Sequence, residues 1–492
     1  MNARRSLTLH LFISLVVALA TSARHAQANL VSPKPSALVS NKDKLVTSSA
    51  GIRHNWYFNG EAQGDDLGAA VSAAGDVNGD GWDDVIVGAP KAGDLVTKEG
   101  IVYIFFGSSV GLNDSPGWKV GGGQQGAGFG AAVSAAGDVN GDGWDDVIVG
   151  APLYGQPETG RVFIFYGSDT VPSLTPDWTF EIGQRDAKFG ISVGAAGDVN
   201  DDNYDDVMVG AQGYKDGQES KGAAFCFYGS ASGITTTYWM TESNQVGALF
   251  GSSVSTAGDV DGDGYDDVIV GASQFDDGET DEGAAFVFLG SDSGLPASYA
   301  WMAGGDQAEA EFGAAVNTAG DVNGDGLDDV IVGAPLYDAD QPDAGAAFGF
   351  YSSETGLSAS ADWSVMSDQS WSGFGSAVAT AGDVNGDAFD DVIVGAYRYS
   401  KAEEGQALIF FGSTSGLSET TNWVTEGDKA ETQFGFAVGA AGDVNGDGYA
   451  DVIVGSPKYK IETDTRGRAF AYHGSDVLQF FTFLPCVFKA FP

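Results

Sequence analysis

Asp76-Val-Asn-Gly-Asp-Gly-Trp-Asp-Asp84 opens a pattern that returns six more times, from Asp138, Asp198, Asp259, Asp321, Asp383 and Asp443. The starting aspartates stand 60 to 62 residues apart, so each copy marks one unit of a repeat architecture. Every loop sits in the same apolar frame. A short run opened by Phe-Gly, such as Phe129-Gly-Ala-Ala-Val133, precedes it, and Val-Ile-Val-Gly-Ala follows it. Runs this short, β-branched and bounded by glycine predict two strands joined by a tight loop, not a helix. A third strand follows, for example Val102-Tyr-Ile-Phe-Phe106, and a tryptophan then marks a fourth.

The tryptophans Trp56, Trp118, Trp178, Trp239, Trp301, Trp363 and Trp423 are offset from the loops: the first precedes loop one and none follows loop seven. Unit seven therefore has three strands of its own, from Phe434 to Tyr472, and the orphan strand around Trp56 can supply the fourth. That exchange joins the chain ends and removes exposed sheet edges. The expected fold is all-β, a seven-bladed β-propeller with four-stranded blades, closed by a strand from the N-terminal side. A linear solenoid would need polar capping repeats, and neither end shows one. The propeller is expected over residues 54–475, with an aperiodic linker at 29–53 and a phenylalanine-rich tail of unknown role at 476–492.

Oxygen ligands at every second residue suit a hard divalent cation. Side chains at loop positions 1, 3, 5 and 9, with the backbone carbonyl at position 7, are Asp76, Asn78, Asp80, Asp84 and Trp82 in loop one. In the same order of positions 1, 3, 5, 7 and 9, loop two offers Asp138, Asn140, Asp142, Trp144 and Asp146, and loop three Asp198, Asn200, Asp202, Tyr204 and Asp206. Loop four offers Asp259, Asp261, Asp263, Tyr265 and Asp267, and loop five Asp321, Asn323, Asp325, Leu327 and Asp329. Loops six and seven offer Asp383, Asn385, Asp387, Phe389 and Asp391, then Asp443, Asn445, Asp447, Tyr449 and Asp451. An all-oxygen set in a flexible loop selects calcium, up to seven ions. An EF-hand is excluded, because position 12 is Val87 within a strand where that motif needs a bidentate Glu and a helix. Turn formation alone would not require carboxylates at positions 1, 5 and 9 of every copy.

The copies differ. Asp261 adds a charge at position 3 of loop four. At position 6, where glycine permits a sharp bend, loop three has Asn203 and loop six Ala388. A left-handed alanine costs roughly 1 kcal/mol, so site six is expected to be the weakest.

Phe129-Gly130, the loop Asp138 to Asp146 and Gly150-Ala151-Pro152 together resemble the FG-GAP repeat of the integrin α-subunit propeller and its bacterial relatives. The resemblance implies calcium in loops on one face, mainly structural, and partner binding on the opposite face. Repeat one departs with Leu67-Gly68, and Gln212, Ser273 and Tyr397 replace the proline in repeats three, four and six. The chain looks like the propeller alone, without leg domains, inserted domain or membrane helix.

Arg4 and Arg5 before the apolar run Leu9 to Ala20, with Ala26-Gln27-Ala28 as a cleavage signal, read as a signal peptide over 1–28. The mature protein is then secreted, cell-surface or periplasmic, with no transmembrane anchor. Cys226 and Cys486 are read as unpaired thiols. The net charge of −45 disfavours nucleic acid and favours cationic partners; 29 of the 68 acids lie in the seven loops.

Catalytic constellations are scarce. Only His54 and His473 remain after residue 28, which argues against a histidine-built zinc site, and no nucleophile elbow or phosphate-cradling loop is present. The chain is therefore read as a non-enzyme, a recognition or adhesion module for an extracellular protein or glycan ligand. A secreted hydrolase or carbohydrate-active protein is the alternative. Tyr154, Tyr214, Phe275, Tyr337, Tyr399 and Tyr459 recur after the second strand of six repeats; they either pack against the adjoining blade or form a ligand rim.

Overall fold

Asp84–Ala89, the run directly after the first acidic loop, is buried along its whole length, as are its six counterparts. A strand covered on both faces needs no polar alternation. Val85 and Val87 join a core that includes Ala441 and Ile453 of the seventh repeat. Ile86, between them, joins a second core with Val133 and Val147 of the second. Each such strand is thus shared by two neighbouring sheets.

The computed structural model describes residues 54–94, 96–217 and 219–476; the expected signal peptide, the linker, Cys486 and the tail from residue 477 lie outside them. The described residues form seven four-stranded antiparallel sheets. Blade one runs in order Ala70–Gly75, Asp84–Ala89, Ile101–Phe105 and Trp118–Gly121. First strands of successive blades touch one another around the ring, including that of blade seven against that of blade one. They are therefore innermost, and the tryptophan strands outermost. Blade seven is Ala437–Gly442, Asp451–Ser456 and Arg468–Tyr472, completed by Trp56–Asn59, with Trp56 opposite Ala471 and Asn59 opposite Arg468. This is the closure expected from the offset tryptophans.

Those tryptophans also bind blade to blade. Each indole meets, edge-on, an aromatic ring on the third strand of the next blade: Trp56 on Phe105, Trp118 on Phe165, and so on to Trp423 on Tyr472. Trp56 Nε1 donates to the carbonyl of Asn113 (3.0 Å) and Trp363 Nε1 to that of Ser418 (2.8 Å), both in the following blade. Such aromatic pairs contribute about 0.5–1.5 kcal/mol each beyond the area they bury.

The Phe-Gly and Gly-Ala elements mark where backbones touch. A Cβ on Gly88 would lie 2.0 Å from the carbonyl oxygen of Gly130 in the next blade, and one on Gly455 equally close to Gly68 at the closing seam. Leu67, in place of phenylalanine, is fully buried. It bridges to Gly467 as Phe189 bridges to Gly160, so the departure in repeat one keeps the contact.

Gly333→Ala is expected to cost about 1–3 kcal/mol, because its Cβ would fall 1.9 Å from the Gly375 carbonyl oxygen. Thermal denaturation reads the loss; an unchanged Tm would show that the blades can separate to admit a methyl group.

Candidate metal centre

Each acidic loop is the hairpin between the innermost strand and the buried second strand. In blade one a bulge between Ala73 and Gly75 sets Gly75 opposite Asp84, which turns the chain into the loop. Loop two shows the wiring. Asp138 at position 1 folds its carboxylate back into the turn: Oδ1 accepts from the backbone N–H of Gly141 (2.7 Å) and Asp142 (3.0 Å), and Oδ2 from Gly143 (2.8 Å). Asp142 Oδ1 accepts from the N–H of Trp144 at 3.1 Å. Asp146 at position 9 accepts from Val139 N–H (3.1 Å) with one oxygen and from Gly167 N–H (2.8 Å), just past the third strand, with the other. One carboxylate therefore ties the start of the loop to the segment just past the third strand.

Position 6 needs a left-handed backbone. Gly81 has φ +89 and Gly143 +90, while Asn203 takes +69 and Ala388 +70. Loop three also has Asp201 at position 4 with φ +55; short polar side chains tolerate this region, whereas alanine is strained there.

The position-9 aspartates are fully buried in all seven blades. Burial pushes each carboxyl up to about 8, against the opposing pull of its backbone donors, and the carboxylates at positions 1 and 5 or 3 push in the same direction in every loop. Crowded acids of this kind are relieved by a proton or by a cation. Asn200 Oδ1 in loop three and Asp261 Oδ1 in loop four are buried oxygens with no hydrogen-bond partner among the described residues. Asp259, Asp261 and Asp267 bring one carboxylate oxygen each within 4.8 Å of one another. Orphaned acceptors beside converging carboxylates fit a hard divalent cation. Asn78 and Asn385, also buried, turn their amide nitrogens to the position-9 carboxylate at 3.3 and 3.4 Å.

Sequence reasoning missed position 8. Asp145 is not turned into its own loop: its Oδ2 accepts the backbone N–H of Asp76, position 1 of the preceding blade, at 2.9 Å. Asp205, Asp266, Asp328, Asp390 and Asp83 repeat this clamp on Asp138, Asp198, Asp259, Asp321 and Asp443. Blade seven has Ala450 there, so at this position the interface between blades six and seven has no carboxylate clamp, and the backbone bond from Ala450 N–H to Asp383 O (3.0 Å) remains. The signal was the Asp-Asp doublet, broken once in seven copies. Position 7 also reaches across: Trp144 lies against Gly79 of the preceding loop, and Trp82 against Gly446.

On the opposite face the recurrent aromatics lie on their own blades. Tyr154 packs on Phe163, Tyr214 on Phe225 and Tyr337 on Phe348, with centroids 5.4 to 6.0 Å apart. Phe275 and Tyr459 do the same on Phe286 and Phe470. Tyr399 donates its hydroxyl to Asp368 (3.1 Å) and Tyr459 to Asp428 (2.9 Å), both on crossings from the preceding blade. Cys226 is a buried free thiol.

Asp266→Ala is expected to cost about 1–3 kcal/mol, since it strands the Asp198 N–H; a melting temperature equal to wild type would deny the clamp. Ala388→Gly should instead stabilise by about 1 kcal/mol, read in the same assay, and no gain would mean that the loop absorbs the strain.

Residues 67–105, 129–165, 250–288, 312–350, 374–410 and 434–471 match the FG-GAP repeat family. Blade three, whose loop replaces both glycines, is outside the matched segments. Integrin alpha-4 of Xenopus laevis is 36% identical over 214 residues, 42% of this chain and 20% of that protein. Integrin alpha pat-2 of Caenorhabditis briggsae is 32% identical over 241 residues, 45% of this chain and 19% of that protein. Integrin alpha-5 of Xenopus laevis is 32% identical over 212 residues, 41% and 19% respectively. The alignments thus span about a fifth of these relatives' length. With six matched repeats, seven closed blades and this loop geometry, the chain belongs to the FG-GAP repeat proteins and carries an integrin-α-like β-propeller.

Proposed function

We propose that this propeller is an exported recognition or adhesion module, stabilised by calcium in its seven loops, that takes an extracellular protein or glycan ligand on the face opposite those loops. The observation that carries the reading is the division of labour between the faces. On the loop face the repeated carboxylates are consumed within the fold: position 1 closes its turn, position 8 clamps the neighbouring blade and position 9 anchors the third strand. The connections on the other face differ from blade to blade, from the two-stranded flap Lys215–Asp216 and Glu219–Ser220 to the acidic stretch Asp276 to Glu282. Variable loops on a rigid frame are where binding specificity is placed. The integrin alpha relatives support the same assignment. No helix among the described residues is long and apolar enough to cross a membrane.

Calcium would be held by the oxygens at positions 1, 3, 5 and 9 and the carbonyl at position 7, and would supply the positive charge that the buried position-9 aspartates lack. At calcium about 100 times Kd, each filled site adds about 2.7 kcal/mol. Chelation is therefore expected to lower Tm by many degrees in calorimetry, and loop six to fill last in a titration that resolves individual sites. A Tm indifferent to chelator would remove calcium from the frame, and simultaneous filling of loop six would overturn the ranking.

A further inference from the structure

The residue that follows each third strand stands at a blade interface on the acidic-loop face. In blades two, three and five it is Tyr166, Tyr228 and Tyr351, and in blade seven His473. Each tyrosine reaches the connection between the third and fourth strands of the next blade. The Tyr351 hydroxyl accepts the N–H of Leu417 at 2.7 Å, Tyr166 accepts that of Ile234 at 3.2 Å, and Tyr228 takes Leu295 in the same way. The phenol also covers the glycine before that donor: a Cβ on Gly416 would meet the Tyr351 ring at 2.3 Å, and one on Gly294 the Tyr228 hydroxyl at 2.5 Å. The His473 ring lies over Gly111 likewise. Three interfaces thus hold a phenol on one backbone N–H beside one glycine.

Blade four breaks the series with Leu289. The facing connection of blade five keeps its form: Gly356 has φ +87 where Gly416 has +83, and Leu357 follows it. Yet a Cβ on Gly356 would have no atom within 4 Å, and the Leu357 N–H has no partner among the described residues. A cavity of about 390 Å³ opens there, walled by Val260, Val287, Leu289, Trp301 and Leu357. Trp301 has committed its indole N–H to the Ser358 carbonyl (2.8 Å), so it serves as a wall. Asp263 and Glu354, both exposed, also line the cavity. A volume of this order holds a small ligand. Apolar walls with one unmet donor suit an aromatic ring that carries one acceptor.

We propose that this cavity between blades four and five binds a small neutral phenol. Its ring lies among Val287, Leu289 and Trp301, and its oxygen accepts the Leu357 N–H, as the tyrosine oxygens of three other interfaces accept theirs. The carboxylates of Asp263 and Glu354 turn away phenols with an anionic substituent. The site lies on the acidic-loop face, apart from the variable connections assigned to recognition above, and does not depend on that assignment.

The test titrates the full chain, in calcium-containing buffer, with phenol, toluene, 4-hydroxybenzoate and a short tyrosine-bearing peptide, read by calorimetry and saturation-transfer NMR. Phenol should bind at a single site. Toluene, which lacks the acceptor, should bind about two- to tenfold more weakly, and 4-hydroxybenzoate should also bind more weakly than phenol. Leu289→Tyr and Leu289→Phe, side chains that other blades carry at this position, should each abolish phenol binding without lowering Tm. Tyr351→Leu should add a second equivalent of bound phenol. No binding by wild type, binding retained by either Leu289 variant, toluene or 4-hydroxybenzoate bound as tightly as phenol, or no second equivalent in folded Tyr351→Leu would each overturn the proposal. Capture of the peptide without capture of phenol would overturn it in favour of a tyrosine side chain from a protein partner.

Discussion

Adjacent blades meet backbone against backbone. In all seven interfaces the second-strand glycine lies so near the Phe-Gly or Leu-Gly carbonyl of the next blade that a Cβ would fall 1.9 to 2.1 Å from its oxygen. This contact sets the spacing of the ring. At that distance the second strand is covered on both sides, so Val-Ile-Val can be apolar throughout, one residue feeding each neighbouring core in turn. The same spacing brings the outer tryptophan onto the third strand of the next blade and seats Leu67 where the other repeats carry phenylalanine.

The acidic loops depend on this ring as much as they brace it. Carboxylates at position 9 are buried because the second strand is buried, and burial is what raises their affinity for a proton or a cation. Position 8 reaches the preceding blade only because innermost strands stand side by side. Six such clamps encircle the ring and the seventh is absent at Ala450, in the blade that the N-terminal strand completes. The two weaknesses therefore fall on blade seven: it is assembled from both ends of the described chain, and its inner edge lacks the charged clamp.

A frame saturated in this way leaves the opposite face free to vary. The crossings there share one backbone constraint, a left-handed residue whose N–H binds the preceding blade, but their side chains differ. The other six positions answer with glycine or an acidic residue. Trp371 does not, and its ring is left exposed.

Seven loops, seven offset tryptophans and their 60-residue spacing carried the fold, its closure strand and the left-handed bend at Ala388, because repetition averages out the ambiguity of any one segment. The oxygen pattern of the loops was likewise legible, since positions 1, 3, 5 and 9 are set by local chain geometry. What the sequence could not disclose lies between repeats: that the second aspartate of each doublet serves the preceding blade, that Tyr154 and its counterparts lie back on their own blades, and that the indole of Trp371 is left exposed. Those outcomes depend on which surfaces ring closure brings together. A sequence specifies the surfaces one repeat at a time; only the closed ring decides which of them meet.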